Sequence, residues 1–331
     1  MSSLVPGFIL RGARWNYRIL HTITGDNTHI SSIFKAAVLP HEDDRQSPDA
    51  PKWAIIKVAD AKSIKSMEIE RQAYQLPNVA TAECFRKMYD VIDNKTLALE
   101  WLDTTLADVT YRPDKDTYAL IMSVLQATLT SCIVLERHQH VNTDFKPSNI
   151  LVSNLKTTRI TAKVGDLGIV VPSKSFYNGQ PFAMRAPEVY LGAPCAEPSQ
   201  IWAIAAMLLV WIKPGVLGSK GCPYPLIYDS WSMAKIKQLF PQWNIPRPED
   251  VEDPIFKEQV DAARGLGKVA PELEAISPFD EETRKVQLPQ ELRDLLRFMM
   301  VLDPDGRPSA SDVLASKEFR AFEKFVVSLF D

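Results

Sequence analysis

The sequence predicts an α+β protein with a β-rich first part and a helical second part. Alternating apolar and β-branched residues from Tyr17 to Ala37 indicate two strands around a turn, and Trp53 to Val58 indicates a further strong strand. In the segment from about Asp114 to His138, one helical stripe is formed by Leu120, Ile121, Val124, Leu125 and Leu135. The uninterrupted apolar run from Ile201 to Ile212 has the length of a buried core helix. Strands therefore precede helices along the chain.

The composition allows one large domain or two lobes. The chain has 331 residues, and 46% of them are hydrophobic, which is ample for a packed core. With 38 Lys and Arg against 41 Asp and Glu, the net charge of -3 argues against bulk electrostatic binding to nucleic acid or to an anionic membrane. We therefore expect local and specific partners, with no direct nucleic-acid or membrane binding.

The cysteines and the N-terminus indicate the compartment. The 4 cysteines show no C-x-x-C spacing, so reduced thiols in an intracellular protein are expected. The apolar run from Leu4 to Leu10 is interrupted by Pro6 and Gly7 and follows no cationic segment, which does not resemble a signal peptide. These features favour the cytoplasm, the nucleus or both.

The most informative stretch is Val141 to Val152, with the sequence VNTDFKPSNILV. It places Asp144, Lys146 and Asn149 on a short loop that runs into an apolar strand. An acid followed five residues later by asparagine is a weak signal alone, because a capped turn can have the same spacing. The neighbouring motifs are needed to interpret it.

Two further motifs follow in order. Asp166-Leu167-Gly168 begins seventeen residues after Asn149, and Ala186-Pro187-Glu188 lies downstream. Three ordered motifs at these spacings resemble the catalytic domain of eukaryotic protein kinases, and the resemblance extends from about Tyr17 to Phe322. It implies a bilobal fold with Mg-ATP between a small β-rich lobe and a larger helical lobe.

The resemblance also implies domain limits. Residues 1–16 would be an N-terminal extension, 17–102 the small lobe with the hinge between lobes, and 103–331 the large lobe. Within the large lobe, residues 247–290 are rich in proline and charge and resemble a late insert found in some kinases.

The resemblance implies roles for the loop residues. Asp144 would accept the proton of the substrate hydroxyl, and Lys146 would stabilise the transferred phosphoryl group. Asn149 and Asp166 would hold magnesium. Arg307 is expected to be the buried partner of Glu188.

The small lobe would hold the nucleotide. Lys57 stands where kinases have the lysine that binds the α- and β-phosphates, and Glu70 on the following helix can pair with it. Glu68 is a weaker candidate for that pairing. In the predicted hinge, Glu100 and Leu102 would offer backbone groups to adenine, with Leu99 as the gatekeeper residue.

Several short runs resemble SR-protein kinases. THISSIF is similar to the corresponding phosphate-loop run of that family, and Leu167 replaces the usual phenylalanine. MRAPEVYLG, with Arg185, resembles the wider group of cyclin-dependent, MAP and SR-protein kinases. Lys146 resembles serine/threonine kinases more than tyrosine kinases. The implied substrate is a protein, with an arginine/serine-rich sequence as the family-based expectation.

The chain also departs from the kinase pattern. Asp26, Thr28 and Ser31 stand in place of the phosphate-loop glycines. Asn142 and Thr143 replace the histidine and arginine of the catalytic loop. Gln200 replaces a helix aspartate, and Pro181 replaces a substrate-loop threonine. An inward carboxylate at Asp26 would repel phosphate. These departures leave open the alternative of a pseudokinase that acts as a nucleotide-responsive or scaffolding module.

Thr143 bears on regulation. The arginine normally found there meets a phosphate on the activation loop, so its replacement predicts activity without loop phosphorylation. The loop nevertheless offers hydroxyls at Ser173, Ser175 and Tyr177.

Overall fold

The computed structural model describes residues 4–23, 32–41, 50–157, 159–175, 179–266 and 270–331. In this part of the chain, the small lobe contains a six-stranded antiparallel sheet in the order β1-β2-β3-β4-β6-β5. The strands are β1 Ile9–Arg11, β2 Asn16–Ile23, β3 Ser32–Leu39, β4 Trp53–Val58, β5 Met88–Asp93 and β6 Thr96–Glu100. Helix α1, Ile64–Gln75, follows β4. The predicted bilobal α+β fold is confirmed.

The two faces of this sheet enter different cores. In β4, Ile56 packs into a small cluster on one face, whereas its neighbour Ile55 joins the main core of the protein. Side chains of a strand alternate between faces, so Lys57 lies on the same face as Ile55. Ile55 pairs with Leu99 across the strands. This face closes over the cleft between the lobes.

Strand β1 was not predicted. It pairs with β2 at the edge of the sheet, from Ile9 opposite Arg18 to Arg11 opposite Asn16. Part of the segment expected to be an N-terminal extension therefore packs with the small lobe. The domain limits themselves stay predictions.

Short strands carry the loops at the cleft. They are β7 Thr104–Thr105, β8 His140–Asn142, β9 Ile150–Ser153, β10 Thr161–Val164 and β11 Val170–Pro172. β9 pairs with both β7 and β10, and β8 pairs with β11. The catalytic-loop motif thus lies between β8 and β9, and the Asp166 motif lies between β10 and β11.

The large lobe is mainly helical. Its helices are α2 Lys115–Glu136, α3 Pro187–Tyr190, α4 Glu197–Ile212, α5 Tyr228–Leu239, α6 Pro254–Leu266, α7 Pro271–Glu274, α8 Phe279–Lys285, α9 Gln290–Met299, α10 Ala310–Ala315 and α11 Lys317–Ser328. Asp114 caps α2, because its side chain accepts a hydrogen bond from Thr117 N at 2.9 Å. The apolar run in α4 is buried almost throughout, as predicted.

Within the described residues, α2 alone has the length and composition that crossing a membrane would require. However, 72% of its apolar window is buried inside the protein. Core helices share these properties, and here α2 packs against α4, α10 and α11.

The predicted insert at residues 247–290 contains α6, α7 and α8. It packs on the large lobe, since Phe279 of α8 stacks on Phe240 with ring centroids 5.6 Å apart. Its limits stay a prediction.

The predicted pair between Glu188 and Arg307 is present. Arg307 donates from both terminal nitrogens to the Glu188 carboxylate, at 2.7 Å and 2.9 Å. This bidentate contact ties the start of α3 to the loop before α10. A second anchor that was not predicted joins Arg185 to Asp229 of α5 at 2.7 Å.

Candidate active site

A cleft of about 320 Å³ lies between the two lobes. One part of its wall is apolar and includes Ile23, Ile33, Ile55, Trp101, Leu102 and Leu151. The polar part includes Lys57, Glu70, Arg86, Asn149 and Asp166. A pocket with an apolar wall and a few convergent polar groups suits a small ligand with a flat ring and a charged end.

Lys57 joins the lobes at the polar end of the cleft. Its Nζ donates to Glu70 Oε2 at 2.7 Å and to Asp166 Oδ1 at 3.0 Å. Lys57 and Glu70 are 7% and 0% exposed. Burial lowers the pKa of Lys57, but Asp166 and Glu70 more than offset this, so the pKa lies above its ordinary value. The lysine is therefore a fixed cation.

Asp144, Lys146 and Asn149 form a second cluster. Lys146 Nζ lies 3.0 Å from Asp144 Oδ2, and Asn149 Nδ2 donates to the same oxygen at 2.8 Å. Asn149 also holds the backbone carbonyl of Asp144 at 2.9 Å. Burial raises the pKa of Asp144, while Lys146 opposes the increase. The arrangement fixes a carboxylate beside a cation.

Helix α4 supports the loop that carries Asp144, Lys146 and Asn149. Gln200 Oε1 accepts a hydrogen bond from Asn142 N at 2.8 Å. Asn142 Oδ1 in turn accepts from Asp144 N at 2.9 Å. Thr143 Oγ1 donates to the carbonyl of Ile169 at 3.0 Å. Hydrogen bonds from the uncharged side chains of Gln200, Asn142 and Thr143 therefore support this loop beside the ion pair of Lys146 and Asp144.

The segment around Asp166 is held in an uncommon conformation. Asp166 has a φ of 50°, in the left-handed region that few residues other than glycine adopt. Gly168 lies against α1, because a Cβ added there would be 2.3 Å from Ser66 Oγ. Ser66 Oγ also donates to Gly168 O at 3.1 Å. The Asp166 motif therefore packs directly against α1.

The expected hinge residues lie in different environments. Leu102 lines the cleft, whereas Leu99 is fully buried. The carboxylate of Glu100 pairs with Lys163 Nζ at 2.9 Å. Its carbonyl oxygen already accepts a hydrogen bond from Arg86 Nε at 2.7 Å. The sequence did not predict a role for Arg86, because nothing in its neighbourhood indicated that its side chain enters the cleft.

Some predictions are corrected or lie outside the described residues. Glu68 does not pair with Lys57, because it faces away and contacts Arg71 at 2.7 Å on the surface of α1. Of the activation-loop hydroxyls, the Oγ atoms of Ser173 and Ser175 are buried. The remaining predicted positions, Asp26, Thr28, Ser31 and Tyr177, lie outside the described residues.

The donors near the cleft fit magnesium. Asp166 offers a carboxylate and Asn149 an amide oxygen, and Mg²⁺ prefers such oxygen ligands, completed by water and phosphate. Because Asn149 Nδ2 points to Asp144, its amide oxygen is the atom left for a cation. The described part of the chain contains no group of three or more His, Cys, Asp or Glu that could hold a metal. Nucleotide phosphates would have to supply the other ligands.

Comparison with known proteins gives weak but consistent similarity. The chain is 25% identical over 193 residues to the stress-activated protein kinase JNK of Drosophila melanogaster, covering 54% of this chain and 48% of that protein. It is 26% identical over 241 residues to GLH-binding kinase 1 of Caenorhabditis elegans, covering 70% of this chain and 57% of that protein. The chain thus spans about half the length of these relatives. No protein-family model matches it.

These similarities support a protein kinase domain. They agree with the bilobal fold and with kinase-type motifs that meet at one cleft. They give no support for the SR-protein kinase subtype.

Proposed function

We propose that the chain is a protein serine/threonine kinase that transfers the γ-phosphoryl group of Mg-ATP to a protein hydroxyl. The observation that carries this proposal is Lys57, whose Nζ bridges Glu70 and Asp166 at the polar end of the cleft. Phosphoryl transfer depends mainly on positioning and on charge neutralisation. A buried cation beside a magnesium-type carboxylate provides both.

The geometry supports a role for each of these residues. Lys57 would bind the α- and β-phosphates, while Asp166 and Asn149 would hold magnesium, which neutralises charge on the phosphates. Asp144 would orient the substrate hydroxyl and take its proton as the oxygen attacks the γ-phosphorus, while the bond from that phosphorus to the bridging oxygen breaks and ADP leaves. Lys146, 3.0 Å from that carboxylate, would meet the charge of the moving phosphoryl group.

The finer identity is also a proposal. The similarity of THISSIF to SR-protein kinases supports an arginine/serine-rich protein substrate. Reduced cysteines support a location in the cytoplasm or nucleus, since the 4 cysteines are free in the structure.

A specific observation favours a second candidate, a pseudokinase that binds a ligand without turnover. The Glu100 carbonyl, which adenine would need, already accepts one hydrogen bond from Arg86, whose cationic N–H donors would face the amino group of adenine. Gln200 also holds the catalytic loop without the charge of an aspartate.

Phosphate transfer from ATP at millimolar concentration tests the proposal. The purified protein is given magnesium and either an arginine/serine-rich peptide or a generic basic protein. We expect transfer that is lost in Asp144→Asn and in Asp166→Asn. Asp261→Asn, on the exposed side of α6, is the matched control and should retain activity. Magnesium-dependent binding with no transfer to either substrate would favour the pseudokinase.

A further inference from the structure

Arg86 is an arginine built into the wall of the nucleotide cleft. Its backbone N–H donates to Val164 O at 2.9 Å, and the preceding Phe85 forms a parallel bridge with the same residue. Its side chain lines the cleft together with Lys57 and Glu70. The backbone is therefore fixed to β10, and the guanidinium points into the site.

The guanidinium is only partly used. Nε donates to Glu100 O at 2.7 Å. Within the described ranges, the two terminal nitrogens make no hydrogen bond or ion pair. Of the nearby carboxylates, Glu100 pairs with Lys163, and Glu70 pairs with Lys57 through Oε2, while Glu70 Oε1 is buried without a hydrogen-bond partner. Burial lowers the pKa of Arg86, but an arginine remains charged in a protein. Two donor groups of a cation thus line a cavity that has room for a ligand.

The position of Arg86 bears on which purine edge the cleft favours. Glu100 O can bind a base only through a donor, and the donor of adenine is its 6-amino group. Arg86 already holds that oxygen, and its own N–H groups would meet the amino group donor to donor. Guanine and hypoxanthine present O6 and N7 as acceptors instead, and arginine binds this pair well.

We infer that Arg86 selects the nucleobase, so that the cleft prefers purine nucleotides with a 6-carbonyl group, such as GTP and ITP, over ATP. This inference rests on the proposed function, because it concerns the base of the nucleotide that the cleft would hold. It allows ATP to bind weakly and to act as donor at millimolar concentration. Arg86 is thus a specificity-determining residue.

Calorimetric titration of the full chain with GTP, ITP and ATP in the presence of magnesium tests the inference. We expect GTP and ITP to bind at least about tenfold more tightly than ATP, the scale of one good arginine-to-base contact. Arg86→Met keeps a long side chain without donors and should reduce or reverse the preference. Lys87→Met is the matched control, because Lys87 pairs with Glu83 on the surface and should leave the preference unchanged.

Each contrary result is informative. Equal or tighter binding of ATP by the unmodified chain overturns the inference, and millimolar ATP turnover would then leave the proposed kinase function intact. Tight GTP binding with weak ITP binding also overturns it, because the 2-amino group would then be the feature recognised. This comparison needs no variant, so a poorly folding Arg86→Met protein does not prevent the test. Binding of none of the three nucleotides overturns both proposals.

Discussion

At the scale of single residues, the charge of Asp144 is set by two opposing effects. Burial raises its pKa, and Lys146 at 3.0 Å opposes the increase. The carboxylate must be ionised to accept a proton, so activity should fall as the pH falls through this pKa. Removing Lys146 removes the opposing effect.

We therefore predict that Lys146→Met moves the acidic limb of the pH profile of kcat/KM to higher pH. The loss of a positive neighbour favours the protonated form of Asp144, which gives the shift this sign. Profiles between pH 5 and 9 would measure it. Lys156→Met, at an exposed position, should leave the limb in place. A shift to lower pH, or none, would contradict the role of this ion pair.

Gly168 is constrained by its neighbour more than by its backbone. A Cβ there would meet Ser66 Oγ at 2.3 Å and Ser66 O at 3.2 Å. We predict that Gly168→Ala lowers the free energy of unfolding by about 1–3 kcal/mol, the usual cost of overpacking. Urea denaturation would measure this change. Combining Gly168→Ala with Ser66→Gly should recover part of the lost stability. If the effects of the two substitutions on the free energy of unfolding are instead fully additive, the contact is refuted.

At the scale of elements, α4 supports the catalytic loop through one side chain. Gln200 is 1% exposed, and its oxygen satisfies the buried N–H of Asn142. A buried donor without a partner costs about 1–3 kcal/mol. We predict this loss of stability for Gln200→Leu, together with a lower rate of phosphate transfer. Gln126→Leu, on the exposed side of α2, makes the same chemical change and should be close to neutral.

The elements that were predicted from the sequence are those whose signal is local. The spacing of Asp144 and Asn149 placed both in one loop, and the structure brings them together. Glu68 and Glu70 are two residues apart on α1, about 200° around the helix, so only one can face Lys57. The spacing in the sequence alone left both glutamates as candidates for the ion pair with Lys57. Tertiary packing decided for Glu70, which is fully buried.

The parts that were missed depend on contacts distant in sequence. Ser66 and Gly168 are separated by 102 residues. Arg86 acts through a carbonyl oxygen, and no residue type or period in a sequence reveals that a carbonyl will be occupied. Strand β1 has three residues, too few for an alternation pattern to be distinguished from chance.

At the scale of the whole molecule, Glu188 and Arg307 connect segments 119 residues apart. The Arg307 side chain is fully buried in this pair. Removing one partner leaves a buried charge, so we predict that Arg307→Met destabilises the protein by about 3–5 kcal/mol. Adding Glu188→Gln should recover part of that loss, which a double-mutant cycle by chemical denaturation would measure. Independent effects of the two substitutions would rule out a structural pair.

The cleft joins both lobes, so a bound nucleotide should stabilise the whole molecule. A ligand at one hundred times its Kd adds about 2.7 kcal/mol to the stability of the folded state. We predict that a magnesium nucleotide raises the Tm. Asp166→Asn should remove the part of this increase that requires magnesium, because the substitution weakens the metal ligand while Glu70 still holds Lys57. Thermal melts with the nucleotide alone, with magnesium alone and with both separate the contributions. A full magnesium-dependent increase in Asp166→Asn would mean that the metal is held elsewhere. If the unmodified chain shows the increase but transfers no phosphate, the cleft binds a nucleotide as a pseudokinase does.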